Sequence, residues 1–316
     1  MPYATCIERT RSALMARLAD APAGEVVREY FERGKMLRAF LVFAATAAVG
    51  GEPDDVVMGA EAIELLHGAS LFHDDIIDGA SMRRGIPSLH QRLGVGPALV
   101  VGDELLLRAF ATLAEASSRH PAARVLAATD TLNRLARDCC RGQFEELCSD
   151  RWVSEKEYLA IVAGKTAAPF VAAGSLGVLL GGGTRIQLER MQTFAQDIGV
   201  AFQIGDDLLD LVGEARLLGK PAGNSLAQGR PMLPLVYLWE QSTPAEQAEL
   251  RRRNGSEWRR AELVRVLDDR CILDRTRQRQ AGYVDAALAA LEGFQAPAVE
   301  ALRALAATAA APTARG

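Results

Sequence analysis

Residues Glu61–Ser88 read EAIELLHGASLFHDDIIDGASMRRGIPS, and this stretch decides how the rest of the chain is read. A helix over 61–78 sets Asp74 and Asp78 one turn apart on one face with Asp75 beside them, a spacing at which carboxylates share a hard cation. The same pattern returns in GDDLLD, at Asp206, Asp207 and Asp210. Like charges at i and i+4 cost a helix roughly 0.2–0.5 kcal/mol per pair, and Gly79 marks the first cluster as a helix C-terminus, where the dipole already disfavours anions. Two such clusters ask for cations. Oxygen-only ligands, few in number and needing a substrate to complete the shell, point to Mg2+ held between carboxylates and phosphate oxygens rather than to zinc or a structural calcium.

Composition sets the fold class. Of 316 residues 49% are hydrophobic and only 6% aromatic, with Ala and Leu recurring where β-branched runs bounded by turns are scarce, so an all-α protein is expected. A formal charge of −4 gives no basic footprint for nucleic acid, and an anion site must be local. Cys6, Cys139, Cys140, Cys148 and Cys271 lack metal-site spacing and are read as buried thiols of a cytoplasmic protein. Charges at Glu8, Arg9, Arg11 and Arg17 interrupt the N-terminus, so no secretory signal is expected there.

Periodicity predicts an amphipathic helix over 5–32 and a mostly apolar one from near Met36. Further helices are expected over 122–148, 154–180, 187–212, 232–240, 244–252, 256–268 and 276–308, with Ser154 and Glu157 forming a capping box. RRGIPS and GKPAGNSLAQGRPMLP read as loops, and 309–316 as a disordered tail. Residues 166–184 carry no charge, yet Pro169 and several glycines make them a poor membrane span, so a central helix surrounded by the bundle is expected and no transmembrane segment.

Lys35, Arg38, Arg83, Arg84, Lys165 and Lys220 stand next to turns or helix ends, and six cations with six acids make a diphosphate site. In the order GKMLR, HDDIID with RRG, KT, FQIGDDLLD and GKPAG, the chain resembles the trans-prenyltransferases, the all-trans polyprenyl diphosphate synthases, from Gly34 to Pro234. The resemblance implies a single large helical bundle around a deep central cavity, of the isoprenoid synthase type, spanning 1–308 and usually homodimeric. It implies Mg2+-dependent condensation of an allylic diphosphate with isopentenyl diphosphate.

By that resemblance Asp74, Asp78 and Asp206 ligate three Mg2+ ions on the allylic diphosphate, with Asp75, Asp207 and Asp210 close by or acting through water. Arg83, Lys165, Thr166, Gln203 and Lys220 hold the same diphosphate. Lys35, Arg38, His67 and Arg84 match the positions that bind isopentenyl diphosphate. Ala69 and Ser70, five and four positions before Asp74, are small where members that stop at fifteen carbons carry an aromatic ring, so longer products are expected. Leu66 and Leu65, Ile63 and Ala62, or Leu106 and Phe110 are the next floors of the cavity.

The sequence also departs from the family. Ala39 replaces a usual proline, Ser225 an aspartate and Arg230 a lysine, and Glu104 stands where tyrosine is common. A terpene cyclase would share the first cluster but need an Asn/Ser/Glu triad in place of DDLLD, and would not use Lys35, Arg38 and Arg84. A head-to-head condensing enzyme takes no isopentenyl diphosphate. A phosphohydrolase built on His67 and His73 leaves the second cluster unexplained, and a non-catalytic subunit of a heteromeric synthase usually lacks one cluster.

Overall fold

The computed structural model describes residues 3–213, 223–252 and 260–310. Ten helices run to the second acid cluster: α1 Ala4–Arg17, α2 Gly24–Glu32, α3 Leu37–Ala48, α4 Val57–Ile77, α5 Leu89–Leu93, α6 Val95–Glu115, α7 Ala122–Cys148, α8 Glu155–Val162, α9 Ala168–Gly181 and α10 Arg185–Val212. Among the described residues six more follow: α11 Asn224–Ala227, α12 Leu233–Gln241, α13 Pro244–Arg252, α14 Arg260–Asp269, α15 Ile272–Ala290 and α16 Ala296–Ala310. The all-α expectation holds. RRGIPS is not a plain loop but a hairpin of β1 Met82–Arg83 and β2 Ile86–Pro87, with Arg84 at φ +52° and Gly85 at φ +78° as its two-residue turn.

Two long helices expected from periodicity are broken. Pro22 and the left-handed Ala23, φ +54°, separate α1 from α2, and Gly293 at φ +85° separates α15 from α16. α16 runs through Ala310, beyond the helix end expected at 308; residues 256–259 and 311–316, on which two of the expectations fall, lie outside the described residues. The Ser154–Glu157 capping box forms as expected, and Thr184 with Gln187 forms a second at the start of α10.

α9 is the axis of the bundle. It packs against α3, α7 and α10, and nearly every one of its residues is buried, including Pro169 and Ser175. The stretch Glu155–Gly181 has the length and apolarity of a membrane-crossing helix, but 67% of the 18-residue apolar run within it is buried inside the bundle, the environment of a core helix. Between α8 and α9 the chain makes one π turn, Ala163–Ala167, which points Lys165 and Thr166 out of the apolar run. α7 approaches this turn so closely that a Cβ on Gly142 would stand 2.4 Å from the Lys165 backbone nitrogen. One apolar core is built on α3, α4, α6, α9 and α10, and a second, smaller one joins the end of α10 to α8, α12, α14 and α15. The cysteines are free as read, but Cys140, Cys148 and Cys271 are exposed, not buried.

Candidate active site

The accessible face of α4 is a stripe. His67, Ser70, Leu71, Asp74 and Asp78 are half-buried at helical spacing, while Ala62, Ile63, Leu65, Leu66 and Ala69 are sealed in the core. Ala69 was expected beside Ser70; at five residues before Asp74 it lies about 140° round the helix, and it is 3% exposed. Ser70, about 40° round, keeps its place and donates to the His67 carbonyl at 2.8 Å.

In each aspartate cluster the middle acid faces inward. Asp75 is fully buried and takes both Arg83 Nε contacts, at 3.0 and 3.2 Å, plus an Arg83 terminal nitrogen. Burial pushes its carboxyl up against the pull of that guanidinium. Asp207 receives the Tyr158 hydroxyl at 2.7 Å, the Leu233 N–H at 2.9 Å and Gln203 Nε2 at 2.9 Å. Burial pushes Asp207 up to about 7 despite these three donors. Both were expected near the metal. Their oxygens are occupied by protein donors instead, because the position after the first aspartate lies about 100° round the helix from it.

Three of the remaining acids stay accessible and the fourth does not. Asp74, Asp78 and Asp206 are half-buried. Asp210 is buried; Ser225 N–H donates to its Oδ2 at 3.0 Å, and its Oδ1 is enclosed without a hydrogen-bonding partner. Such an orphaned carboxylate oxygen is costly unless a cation or its water takes it. Among the described residues no three acid, thiol or imidazole groups close into a cage. The donor set thus fits an oxygen-seeking ion such as Mg2+ whose shell a substrate completes, and does not fit a self-sufficient metal centre.

The segment after the second cluster closes on the first. Gln228 Nε2 donates to the Asp78 carbonyl at 2.9 Å, and the Arg230 guanidinium pairs with the Asp78 carboxylate, with its other nitrogen 3.7 Å from Glu146. Lys165 Nζ pairs with Glu146 at 2.5 Å, and Thr166 donates to Gln203 Oε1 at 2.8 Å. Lys165 and Thr166, adjacent on the π turn, thus have separate partners: Glu146 for the ammonium and Gln203 for the hydroxyl. Lys220 lies outside the described residues.

A second cationic corner lies about two turns back along α4 from Asp74, lined by Tyr30, Gly34, Glu64, His67, Arg83 and Arg84. Lys35 leads into it through Met36, left-handed at φ +54°. Arg38 stacks on the Phe170 ring at 4.7 Å, and Phe170 stacks on Phe202 at 5.2 Å. Enclosure pulls Arg38 down to about 10, still charged at neutral pH. Arg84 donates to the Tyr30 carbonyl at 2.6 Å, and a Cβ on Gly34 would meet that guanidinium at 2.9 Å. Burial, then the charges of Arg38, Arg84 and Arg83, holds the His67 imidazolium well below its ordinary range, so the ring is neutral. His73 points away, its Nε2 3.2 Å from the Leu99 carbonyl.

Sequence reasoning missed Glu146, Gln143, Glu64 and Tyr158. Glu64 accepts the Ala39 N–H at 2.9 Å, a donor that the usual proline would lack. Glu104 pairs with Arg108. The only local sign of Glu146 was GQFEE, a glycine and two acids inside a long helical run.

A helical bundle with two aspartate clusters brought to one cation-lined mouth defines the isoprenoid synthase class of fold. The polyprenyl synthetase family profile matches residues 22–267, and the chain belongs to that family. It is 36% identical over 223 residues to the short chain isoprenyl diphosphate synthase of Methanothermobacter thermautotrophicus, covering 69% of this chain and 66% of that protein. It is 33% identical over 265 residues to the octaprenyl diphosphate synthase of Escherichia coli, covering 82% and 80%. The first of these matches, like that to a geranylgeranyl diphosphate synthase of Methanosarcina mazei at 64%, spans slightly less than two thirds of the relative's length. Among solved structures, a polyprenyl synthase from Caulobacter crescentus complexed with calcium and isoprenyl diphosphate superposes with a TM-score of 0.88 at 30% identity, covering 98% of this chain and 95% of that one.

Proposed function

We propose that the protein condenses an allylic diphosphate head-to-tail with isopentenyl diphosphate, in a Mg2+-dependent reaction, to give an all-trans polyprenyl diphosphate longer than fifteen carbons. The observation that carries this reading is that the segment after the second cluster joins the two, with Ser225 on Asp210 and Arg230 on Asp78, beside a separate corner of Arg38, His67 and Arg84 that has cations but no acid cluster. A leaving diphosphate needs metal; a diphosphate that is only held needs cations alone.

Asp74, Asp78, Asp206 and Asp210 would hold Mg2+, which when bound supplies positive charge to the leaving group. Lys165 and Arg83 orient the allylic diphosphate and stabilise the charge it gains as its C–O bond breaks. Gln203, fixed by Asp207, and Thr166 set the floor beneath that diphosphate. Arg38, Arg84 and Lys35 grip the diphosphate of isopentenyl diphosphate, with neutral His67 hydrogen-bonding to it. The apolar stack of Phe170 and Phe202 keeps water from the allylic cation. No side chain in these motifs is an evident base, so the proton lost after alkylation passes to the departing diphosphate.

Small Ser70 on the α4 stripe supports a tail longer than fifteen carbons, because no ring blocks its path. Leu107 on α6 and Leu126, Phe144 and Leu147 on α7 are exposed apolar side chains that a second copy of the chain would cover, so the working unit is read as a homodimer. Incubating the purified protein with Mg2+, isopentenyl diphosphate and each allylic primer in turn, then sizing the dephosphorylated products, tests the reading. Failure with every primer would remove it.

A further inference from the structure

One short piece of chain, Gly223–Arg230, joins the two aspartate clusters. The Gly223 N–H donates to the Asp210 carbonyl at 3.0 Å and the Ser225 N–H to Asp210 Oδ2 at 3.0 Å, while Gln228 and Arg230 reach Asp78 on the other side. The single turn of α11 is its regular structure, and one turn of helix does not hold itself in water. Two of these anchors end on the carboxylates of Asp78 and Asp210, the groups a bound cation would claim. Anchors that compete with a ligand cannot also fix the segment while the ligand is there.

An anchor independent of the acids comes from elsewhere. Arg151 stands in the link between α7 and α8 and is only 8% exposed. Its guanidinium donates to the Leu226 carbonyl at 3.3 Å, at the C-terminal end of α11, where the Gly229 N–H also arrives at 3.2 Å. Glycine is required at that point: Gly229 has φ +74°, and a Cβ on it would stand 2.7 Å from the Arg151 guanidinium. The link that carries Arg151 is itself held firmly. Trp152 stacks on Trp239 with ring centroids 5.2 Å apart, Val153 is buried in the smaller core beside Leu226, and Ser154 caps α8. Burial pulls the guanidinium below its ordinary range, and among the described residues the Leu226 carbonyl is the one acceptor it meets. An enclosed cation with a single neutral acceptor adds little stability, so the arginine needs another reason to be there.

We infer that Arg151 is a positioning residue: it pins α11 to the link before α8, so that the segment joining the two aspartate clusters keeps its place whichever partner, protein or ligand, Asp78 and Asp210 hold. The inference rests on the reading of the mouth given above. Arg151 makes no hydrogen bond to either aspartate cluster and acts through Leu226 and Gly229. Its effect is confined to the mouth, because no residue of Gly223–Arg230 lines the corner of His67 and Arg84.

Amide hydrogen exchange of the full chain in EDTA, followed by mass spectrometry, tests this beside steady-state kinetics. Arg151→Met keeps the length of the side chain and removes its donors. Exchange in peptides spanning 223–230 is expected to quicken about tenfold or more, the size of one lost charge-assisted hydrogen bond, while α8 and α10 stay as protected as in wild type. The KM of the allylic substrate and the Mg2+ concentration for half-maximal rate should rise several-fold, with the KM of isopentenyl diphosphate within about twofold. Arg151→Lys, which can still reach one carbonyl, should restore most of the protection. Gly229→Ala disturbs the same contact from the other side and is expected to repeat the pattern; it carries the test alone if the methionine variant has no cooperative melt. Unchanged exchange over 223–230, or a loss of protection spread equally through α8 and α10, overturns the inference. A wild-type chain that makes no prenyl product with any primer overturns the functional reading instead, and the exchange comparison, made without metal or substrate, still decides the role of Arg151.

Discussion

The Tyr158 hydroxyl donates to Asp207 across 2.7 Å, fastening α8 to α10 behind the second aspartate cluster. Burial holds the phenol well above its ordinary range, so it stays protonated and remains a donor. Tyr158→Phe leaves a buried carboxylate one donor short and is expected to cost about 1–3 kcal/mol of stability. Urea unfolding monitored by circular dichroism measures it, and an unchanged midpoint would show that the bond carries no weight.

Within each cluster the acids should separate by role. Asp74→Ala and Asp206→Ala are expected to cut turnover by several powers of ten, the scale of lost metal charge stabilisation. Asp75→Asn and Asp207→Asn lose less, about tenfold to a hundredfold, because they release Arg83 and Gln203 and leave the outward acids in place. Turnover measured across a Mg2+ series checks this; near-normal rates in either alanine variant contradict the metal reading.

Arg84→Ala should raise the KM of isopentenyl diphosphate by about tenfold or more, the size of a lost charge-assisted contact, and raise that of the allylic primer far less. Lys35→Ala should split the two constants in the same direction. An effect confined to the primer would mean the two corners have been exchanged.

His67 gives a pH signature with a definite sign. Its folded-state pKa is depressed below the ordinary imidazole value of about 6.5, so the folded state binds fewer protons than the unfolded chain below that pH. The stability it contributes is present above about 6.5 and is lost as pH falls through the window below it. His67→Gln should flatten the decline in thermal stability between about pH 6.5 and 5 relative to wild type. Parallel curves for the two proteins would exclude it.

Product length should answer to Ser70 and not to Ala69. Ser70→Phe places a ring on the accessible stripe and shortens the product distribution while the metal acids are untouched. Ala69→Tyr drives a ring into the close-packed side of α4 and costs about 1–3 kcal/mol in overpacking. Chromatographic sizing and thermal melts separate the outcomes; shortening by the Ala69 variant with a normal melt would reverse the assignment.

Much of this was legible beforehand because acids, cations and helix ends follow local rules. The i, i+4 spacing of Asp74 and Asp78, the capping box at Ser154 and the all-round apolar run of α9 need only one segment each. What escaped depends on pairs far apart in sequence. That Glu146 meets Lys165 and Arg230, that Tyr158 meets Asp207, and that Glu64 takes the Ala39 N–H follow from packing between helices, which periodicity does not report. Asp75 and Asp207 were already set apart from the ligating acids, but the partners that hold them, Arg83 and Tyr158, could not be read from the helix periodicity that turns them aside.

The Arg230 guanidinium resting on Asp78 has a consequence for how the protein behaves outside catalysis. A folded chain that neutralises part of its own acidic mouth has less need of a divalent ion to hold its shape. Chelation should silence turnover and leave the melting curve nearly where it was, so the purified protein tolerates prolonged EDTA and recovers when magnesium is returned. Metal is then expected to act as a reagent brought in with the substrate, not as mortar.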